Sequence, residues 1–223
     1  MKVFILAAGR GERLKPLTDH TPKPLAVVQG KPLLAHHFTR LAEAGFKQLV
    51  INVCWLKQQI ISYANKHAPE SVAISISDEG DRALETGGGM LKALPLLDNS
   101  PFLAVNADVL TDFDFNALAE LKPGIWAHLV LVQNPAHNPD GDFALTHDQL
   151  KPKQANQASY TYSGIGIFHP DLFKGQVIGT AFSVTPLIKK AIAKKRVTGQ
   201  IHTGTWSDVG TINRLNELNV KGC

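Results

Sequence analysis

The amino-acid sequence predicts an α/β domain with a largely parallel central sheet, and three observations carry that prediction. Short apolar runs free of charge recur at residues 3–7, 49–53, 72–76 and 102–105, as in strands buried on both faces. Stretches with apolar residues at helical spacing lie between them. The 223 residues, 44% of them hydrophobic, show no repeat, low-complexity tract or break in composition, which suits a single domain over residues 1–223 with a sizeable core.

The elements follow in order. Residues 3–7 form the first strand, and a polar loop over 9–21 follows, punctuated by Gly9, Gly11 and Pro16, with Pro22 and Pro24 just beyond. Pro32 suits the first turn of a helix in which Leu33, Leu34, Phe38, Leu41 and Ala42 recur at helical spacing until Gly45 stops it. Residues 49–53 are a second strand, 58–65 a helix and 72–76 a third strand. Gly87, Gly88 and Gly89 open a helix running through Leu94, and 102–105 are a fourth strand that ends in Asn106, Ala107 and Asp108. Beyond it the alternation loosens. Strands are expected at 129–132, 143–145 and 160–168, and loops at 134–138 and 151–158. A helix at 185–196 presents Lys189, Lys190, Lys194, Lys195 and Arg196 to solvent, and a closing helix covers 211–220.

The net charge is +4, from 23 Lys and Arg against 19 Asp and Glu, and it is unevenly spread. Residues 1–31 carry six cations and two acids, residues 32–185 ten cations and fifteen acids, and residues 186–223 seven cations and two acids. A basic opening beside an acidic middle suits a site for phosphates and a divalent cation. A nucleic-acid binder would show one broad basic face interleaved with aromatics, which make up only 7% here. No apolar run of about 20 residues is present to span a bilayer. The opening apolar run, residues 3–8, is cut off by Gly9 and Arg10, unlike a signal peptide, so a cytoplasmic protein is expected. Cys54 and Cys223 make no disulfide framework, and the nine histidines lack the i, i+4 pairing of a zinc site.

The residues that bear chemistry begin with Ala7-Ala8-Gly9-Arg10-Gly11-Glu12-Arg13. Small residues directly after a buried strand let backbone N–H groups approach an anion, and the arginines add charge; a plain glycine turn is the simpler alternative. A dinucleotide fingerprint would place a third glycine where Leu14 stands, and a Walker loop would need Gly-Lys-Ser/Thr, so a dehydrogenase of that kind is disfavoured. Asp108 ends a buried strand, where open α/β sheets hold their ligands, and Asp208 follows 100 residues later in Trp206-Ser207-Asp208-Val209-Gly210. Each is also the type of residue that makes a turn, and Asp112 and Asp114 read as caps of the next helix. Trp55, Trp126 and Trp206 read as packing residues, with Trp206 placed to fix the direction of Asp208.

The stretch from Leu6 to Thr18, Leu-Ala-Ala-Gly-x-Gly-x-Arg-Leu-x-Pro-Leu-Thr, followed by Thr21-Pro22-Lys23-Pro24-Leu25, resembles the signature of the sugar-phosphate nucleotidyltransferases. These enzymes join a sugar 1-phosphate to a nucleoside triphosphate and release pyrophosphate. The resemblance implies a Rossmann-like, GT-A-like nucleotidyltransferase fold with a mixed, mostly parallel central sheet flanked by helices. It implies a nucleotide-binding lobe over 1–110 and a sugar-phosphate-binding lobe with the closing helix over 111–223. On it, Ala7, Ala8, Gly9, Arg10, Gly11, Glu12 and Arg13 wrap the triphosphate, with Arg13 on the outer phosphates. Lys23 reaches the α-phosphate and the sugar phosphate, its backbone restrained by the flanking prolines. Asp108 and Asp208 are the Mg²⁺ ligands; Glu85, Thr86 and Gly87 lie along the base, and Asn106 lies near the ribose. Ser163 and Gly164 match a strand that makes room for the sugar. Asp142, in Gly141-Asp142-Phe143, stands either at sugar hydroxyls or in a turn.

The resemblance spans residues 1 to about 215 and is greatest to short, UTP-using members of cell-wall recycling. Partners are then an NTP, UTP first, and a sugar 1-phosphate, with a monomer or small homo-oligomer as the working unit. Hexose-1-phosphate transfer and a non-catalytic nucleotide-sugar-binding regulator are the alternatives. Two departures from the family pattern stand out. Ala107 replaces a common glycine before the metal aspartate, and no clear Glu-Lys-Pro element is present, since Lys151-Pro152 follows Leu150.

Overall fold

The computed structural model describes residues 1–153 and 157–220. Cys223 and the middle of the loop expected at 151–158 lie outside the described residues. The first half alternates strand and helix: β1 (Val3–Leu6), a one-turn α1 (Leu17–His20), the hairpin β2 (Val27–Val28) and β3 (Lys31–Pro32), and α2 (Leu33–Glu43). Next come β4 (Gln48–Val53), α3 (Lys57–His67), β5 (Ala73–Asp78), α4 (Glu85–Ala93), β6 (Phe102–Asn106) and the short β7 (Val109–Thr111). The second half comprises β8 (Ala127–Val132), β9 (Phe143–Thr146), β10 (Gln149–Pro152), β11 (Thr161–Phe168), α5 (Thr185–Ala193), β12 (Val197–Ile201), β13 (Trp206–Asp208) and α6 (Ile212–Val220).

Among the described residues nine strands form one sheet in the order β5-β4-β1-β6-β11-β8-β12-β10-β9. The first four are parallel, with Val3 of β1 opposite Leu49 of β4 and Leu103 of β6. β11 runs antiparallel to both β6 and β8, β12 returns parallel to β8, and β10 and β9 close the far edge as antiparallel strands. Only β11 and β10 therefore oppose the common direction, which makes the sheet mixed and mostly parallel.

The two-residue period of β1 assigns its faces. Val3 and Ile5 pack with Leu34, Phe38 and Leu41 of α2 and Ile60 of α3. Phe4, pointing the other way, packs with Met90 and Leu91 of α4 and, further along the sheet, Leu187 and Ile188 of α5. Both faces are thus covered by helices, as a central parallel strand requires. A third apolar cluster joins Leu14, Val28, Leu33, Leu110, Val209 and Leu215, packing the long first loop against the β2–β3 hairpin, β7 and α6. Asn219 of α6 clips the same hairpin, accepting from Gln29 N at 2.7 Å and donating to Val27 O at 3.2 Å.

Several boundaries differ from the sequence reading, each for a tertiary reason. Pro32 caps α2 from outside its first turn. α4 begins at Glu85, so Gly87, Gly88 and Gly89 lie within the helix, buried where the 180–182 segment, Glu79 and Asn52 press against it. Lys151 and Pro152 belong to β10, held by pairing with β9. The basic helix stops at Ala193 because Lys195 turns left-handed; Lys194 and Arg196 then lie over Trp126. β2, β3, β7, β10, β12 and β13 were not anticipated: β2 with β3 and β10 with β9 are short hairpin pairs, and β7, β12 and β13 are stabilised by partners distant in sequence. Asp114 does cap the next turn through Asn116 N, but Asp112 instead faces His202 at 2.9 Å.

Candidate active site

A cleft lined by polar side chains lies beyond the carboxyl ends of β1, β4, β5 and β6, the edge where an open α/β sheet leaves a crevice between neighbouring connections. Its volume is about 360 Å³. Ala7, Ala8, Gly9, Gly11, Glu12, Arg13 and Lys23 form one wall, Glu85 and Thr86 another, and Asn106, Ala107 and Asp108 the floor, with Gly210 at one end. Eleven of the residues singled out in the sequence therefore meet in one place.

The first loop is held by specific bonds rather than by regular structure. Gly11 sits at φ 67°, and a Cβ there would lie 2.8 Å from Thr18 Cγ2, so glycine is required on two counts. Thr18 Oγ1 donates to Gly11 O at 2.9 Å, and Trp55 Nε1 donates to Thr18 O at 2.8 Å. Arg10 lies outside the cleft lining, with its guanidinium 4.5 Å over the Trp55 ring. Trp55 is thus both a packing residue and the post to which the loop is tied.

Lys23 sits in a short 3₁₀ turn over Lys23–Leu25, with Pro24 buried beneath it, and its ammonium is hydrogen-bonded to Asp108 Oδ2. Both side chains are largely buried. Asp208 is not part of the cleft lining but stands beside Gly210 at its end, because β13 pairs with β7, placing Asp208 opposite Val109, and Val209 N donates to Asp108 O at 2.8 Å. Trp206 fixes this ribbon from the side, donating Nε1–H to Ser163 O at 2.9 Å. Asp208 is in turn paired with Arg214, and His137 Nε2 lies 3.0 Å from Asp208 Oδ1.

The wall opposite the first loop contains residues that the sequence did not mark. Asn52 Oδ1 accepts from Ala7 N at 2.6 Å, Asn52 Nδ2 donates to Glu79 Oε1 at 2.7 Å, and Glu79 Oε2 accepts from Leu84 N at 2.7 Å. This chain ties the ends of β1, β4 and β5 to the start of α4. Glu79 is 7% exposed, and burial pushes its carboxyl up from the ordinary range while the Leu84 and Asn52 donors pull it back. Glu85 then enters α4 at φ 58°, a left-handed backbone that is costly for a residue with a side chain. Thr86 Oγ1 accepts from Val184 N, and the amide of Gly87 is committed to Phe182 O at 2.9 Å. Gly87 therefore braces the wall from behind, and Glu85 and Thr86 supply its surface.

On the sugar side the arrangement departs from expectation. Gly164 stands at a bulge in β11 with φ 81°, and a Cβ there would be 2.7 Å from Asn106 Nδ2. Its missing side chain makes room for Asn106, which faces the cleft. Ser163 turns into the sheet, donating to Val130 O at 2.7 Å. Asp142 is exposed and engaged in its own turn, accepting from Tyr162 N at 2.8 Å and Asn138 Nδ2 at 3.2 Å. Neither Ser163 nor Asp142 lines the cleft, and both hold the β9–β11 corner in shape.

The residues 2–222 match the family model described as nucleotidyl transferase. The chain belongs to the nucleotidyl transferase family. It is 49% identical to the N-acetylmuramate alpha-1-phosphate uridylyltransferase of Neisseria meningitidis serogroup B, with 97% of this chain and 96% of the relative covered. The protein of the same name from Caulobacter vibrioides is 33% identical, covering 93% of this chain and 90% of that one. A structure from Bacillus anthracis, described as a glucose-1-phosphate thymidylyltransferase in complex with sucrose, superposes with a TM-score of 0.84 at 20% identity, over 100% of this chain and 95% of that one. That likeness shows the fold. As a nucleotidyltransferase, the chain is an enzyme.

Cation chemistry at the floor of this nucleotidyltransferase cleft is set by its donors. Asp108, in the turn before β7, and Asp208, at the end of the paired β13, carry hard carboxylate oxygens, and among the described residues no cluster of three or more acidic, His or Cys side chains could hold a metal alone. Such a pair suits a small divalent cation that completes its shell with water and substrate phosphate oxygens. Among the described residues no helix is long and apolar enough to cross a membrane.

Proposed function

We propose that this enzyme transfers the uridylyl group of UTP to N-acetylmuramate α-1-phosphate, giving the UDP-sugar and pyrophosphate, in the cytoplasm and within peptidoglycan recycling. The observation that carries the choice of substrate is the 49% identity, end to end, with the Neisseria relative of that name. The reaction type draws its support from Arg13, Lys23 and Asp108 in one cleft, with Asp208 held beside its Gly210 end by the β13–β7 pairing.

The reaction is a single in-line displacement. A non-bridging oxygen of the sugar 1-phosphate attacks the α-phosphorus of UTP, the bond from that phosphorus to the β-phosphate bridging oxygen breaks, and pyrophosphate leaves with the electron pair. No side-chain nucleophile takes part. Backbone amides of the Ala8–Gly11 turn and the Arg13 guanidinium hold the outer phosphates. Lys23 places its ammonium between the α-phosphate and the incoming phosphate, where charge accumulates. Asp108 and Asp208 would hold Mg²⁺, which when bound neutralises phosphate charge. Lys23 pairs with Asp108 and Arg214 with Asp208. Glu85 and Thr86 present the surface on which the base lies, and Asn106 faces the ribose.

The test is a pyrophosphate-release matrix of UTP, GTP, ATP, CTP and dTTP against N-acetylmuramate, N-acetylglucosamine, glucose and mannose 1-phosphates, with and without Mg²⁺. UTP with the muramic phosphate is expected to exceed every other pair and to require the metal. Greater turnover with mannose 1-phosphate and GTP, or with a glucose 1-phosphate pair, would replace the substrate assignment. Tight UDP-sugar binding with no turnover would point to a regulator instead.

A further inference from the structure

We infer that Arg214, with His137 beside it, recognises a carboxylate on the sugar, so that the enzyme selects sugar 1-phosphates that carry an acidic substituent. The inference rests on the acceptor proposed above and adds the residues that would distinguish it from a neutral hexose phosphate. N-acetylmuramate differs from N-acetylglucosamine by a lactyl ether that ends in a carboxylate, and the cleft must offer that anion a cation.

Arg214 lies in the first turn of α6, its amide donating to Thr211 Oγ1 at 3.3 Å. Its side chain folds back over Gly210, which lines the cleft and whose lack of a Cβ admits the guanidinium. There Nη1 meets Asp208 and lies 3.0 Å from His137 Nε2. His137 belongs to the connection between β8 and β9, the same loop that carries Asn138 and Gly141 on the sugar side. Arg214 therefore spans the corner between the phosphate-transfer centre and the sugar-side loop, with only 16% of its side-chain surface exposed.

One carboxylate does not exhaust this group. A guanidinium has five N–H donors in a planar fork, and among the described residues only Nη1 of Arg214 has hydrogen-bond partners. Nη2 and Nε remain to take a second carboxylate, an arrangement for which the fork is preorganised. The cations that line the cleft, Arg13 and Lys23, stand on its first-loop wall, whereas Arg214 packs behind Gly210 at the end of the cleft. A neutral hexose phosphate would leave the free face of a desolvated Arg214 without a partner, and a site built around a polar group discriminates strongly against the analogue that lacks it.

The experiment compares N-acetylmuramate 1-phosphate with N-acetylglucosamine 1-phosphate, each with UTP, in wild type, Arg214→Gln, Arg214→Lys and His137→Gln. Any loss shared by both sugars reports on the support that Arg214 gives Asp208; the ratio of the two kcat/KM values reports on the carboxylate. Arg214→Gln is expected to lower that ratio by about 30- to 100-fold, mainly through KM of the muramic phosphate. Arg214→Lys should lower it by about 5- to 20-fold, because the charge stays and the fork is lost. His137→Gln should lower it by about 2- to 5-fold. Calorimetric titration with UDP-N-acetylmuramate and UDP-N-acetylglucosamine gives a readout free of turnover, and the preference in Kd should collapse in parallel. An unchanged ratio in both arginine variants overturns the inference. If wild type favours N-acetylglucosamine 1-phosphate, the proposed acceptor itself fails. A wild-type muramic preference that survives in the variants sinks only the role of Arg214.

Discussion

The two halves of the sheet build their parts of the cleft by different means. From β5 to β6 every strand is parallel and each ends at the cleft, so one architectural rule delivers Ala7, Asn52, Glu79 and Asn106 to the same edge. From β11 to β9 the direction alternates, with β11 and β10 reversed, and long-range pairings such as β12 with β8, together with the separate β13–β7 ribbon, set the positions of the side chains. The parallel half positions groups through chain order. The mixed half positions them through long-range register, and there the side chains singled out in the sequence, Ser163 and Asp142, are occupied in holding the backbone. Residues on the parallel side and at its junction with β7 should therefore weigh on chemistry, and residues of the β9–β11 corner on stability.

The largest test of this contrast is removal of the charge at the junction. Lys23→Ala or Asp108→Asn should lower kcat by on the order of 10²–10⁴ with UTP and Mg²⁺ saturating, several kcal/mol of barrier, with the melting temperature little changed. Near-wild-type turnover in either variant would break the contrast at its strongest point.

The next effect is a pH dependence from His37, which lies under the floor of the cleft on α2 and is 3% exposed. Burial holds its imidazole at about 4, against opposing help from the Ala107 backbone and Asp108, and its Nε2 has no hydrogen-bond partner among the described residues. The folded protein thus keeps His37 neutral where the unfolded chain would protonate it. Unfolding binds a proton between these two pKa values, so stability is fully present above about pH 6.5 and falls by up to about 3 kcal/mol as pH drops toward 4. Urea unfolding at pH 7.5 and 5 should differ by about 2 kcal/mol from this group, and His37→Asn should flatten the difference.

A smaller effect is expected at the Asn52–Glu79 brace. Glu79→Ala strands Asn52 Nδ2 and Leu84 N, which should cost about 1–3 kcal/mol and raise KM for UTP more than for the sugar phosphate. A matching rise in both KM values would show that the brace does not serve the base side alone. The smallest effect is assigned to Asp142. Asp142→Asn should destabilise by about 1 kcal/mol while KM for the sugar phosphate shifts less than about threefold. A tenfold rise in that KM would return Asp142 to the sugar and weaken the contrast from the other side.

The same division governs how much could be read from sequence. The glycine loop, Lys23 between prolines and Asp108 at a strand end were legible because their neighbours in the chain are also their neighbours in space. Glu79 was not, because Asp78-Glu79-Gly80-Asp81-Arg82 reads as a solvated polar turn, and only the approach of Asn52 and Leu84 buries it. Arg214 carries no signal in its own stretch of chain, because its partner His137 lies 77 residues away in sequence. The glycines of α4 read as the start of a helix, with Gly87 along a base, whereas they lie inside α4 and are approached by Phe182, Thr180 O and the Glu79–Asn52 pair, all set by the tertiary fold. The end of the basic helix was missed because a left-handed lysine gives no compositional warning.

The apolar cluster beneath the first loop has a consequence for how the cleft opens. Leu14 follows directly after Arg13, Val209 follows Asp208, Leu110 lies two residues beyond Asp108, and Leu215 is next to Arg214; all four side chains are buried together. The phosphate loop, both acidic strands and the closing helix thus rest on one shared footing. Local opening should accordingly release them as a cooperative unit, with the amides of Leu14 and Val209 exchanging their hydrogens at a common rate. Slackening anywhere in that footing would loosen the grip on triphosphate and the alignment of the two aspartates at the same moment, so the enzyme has little scope to lose one and keep the other.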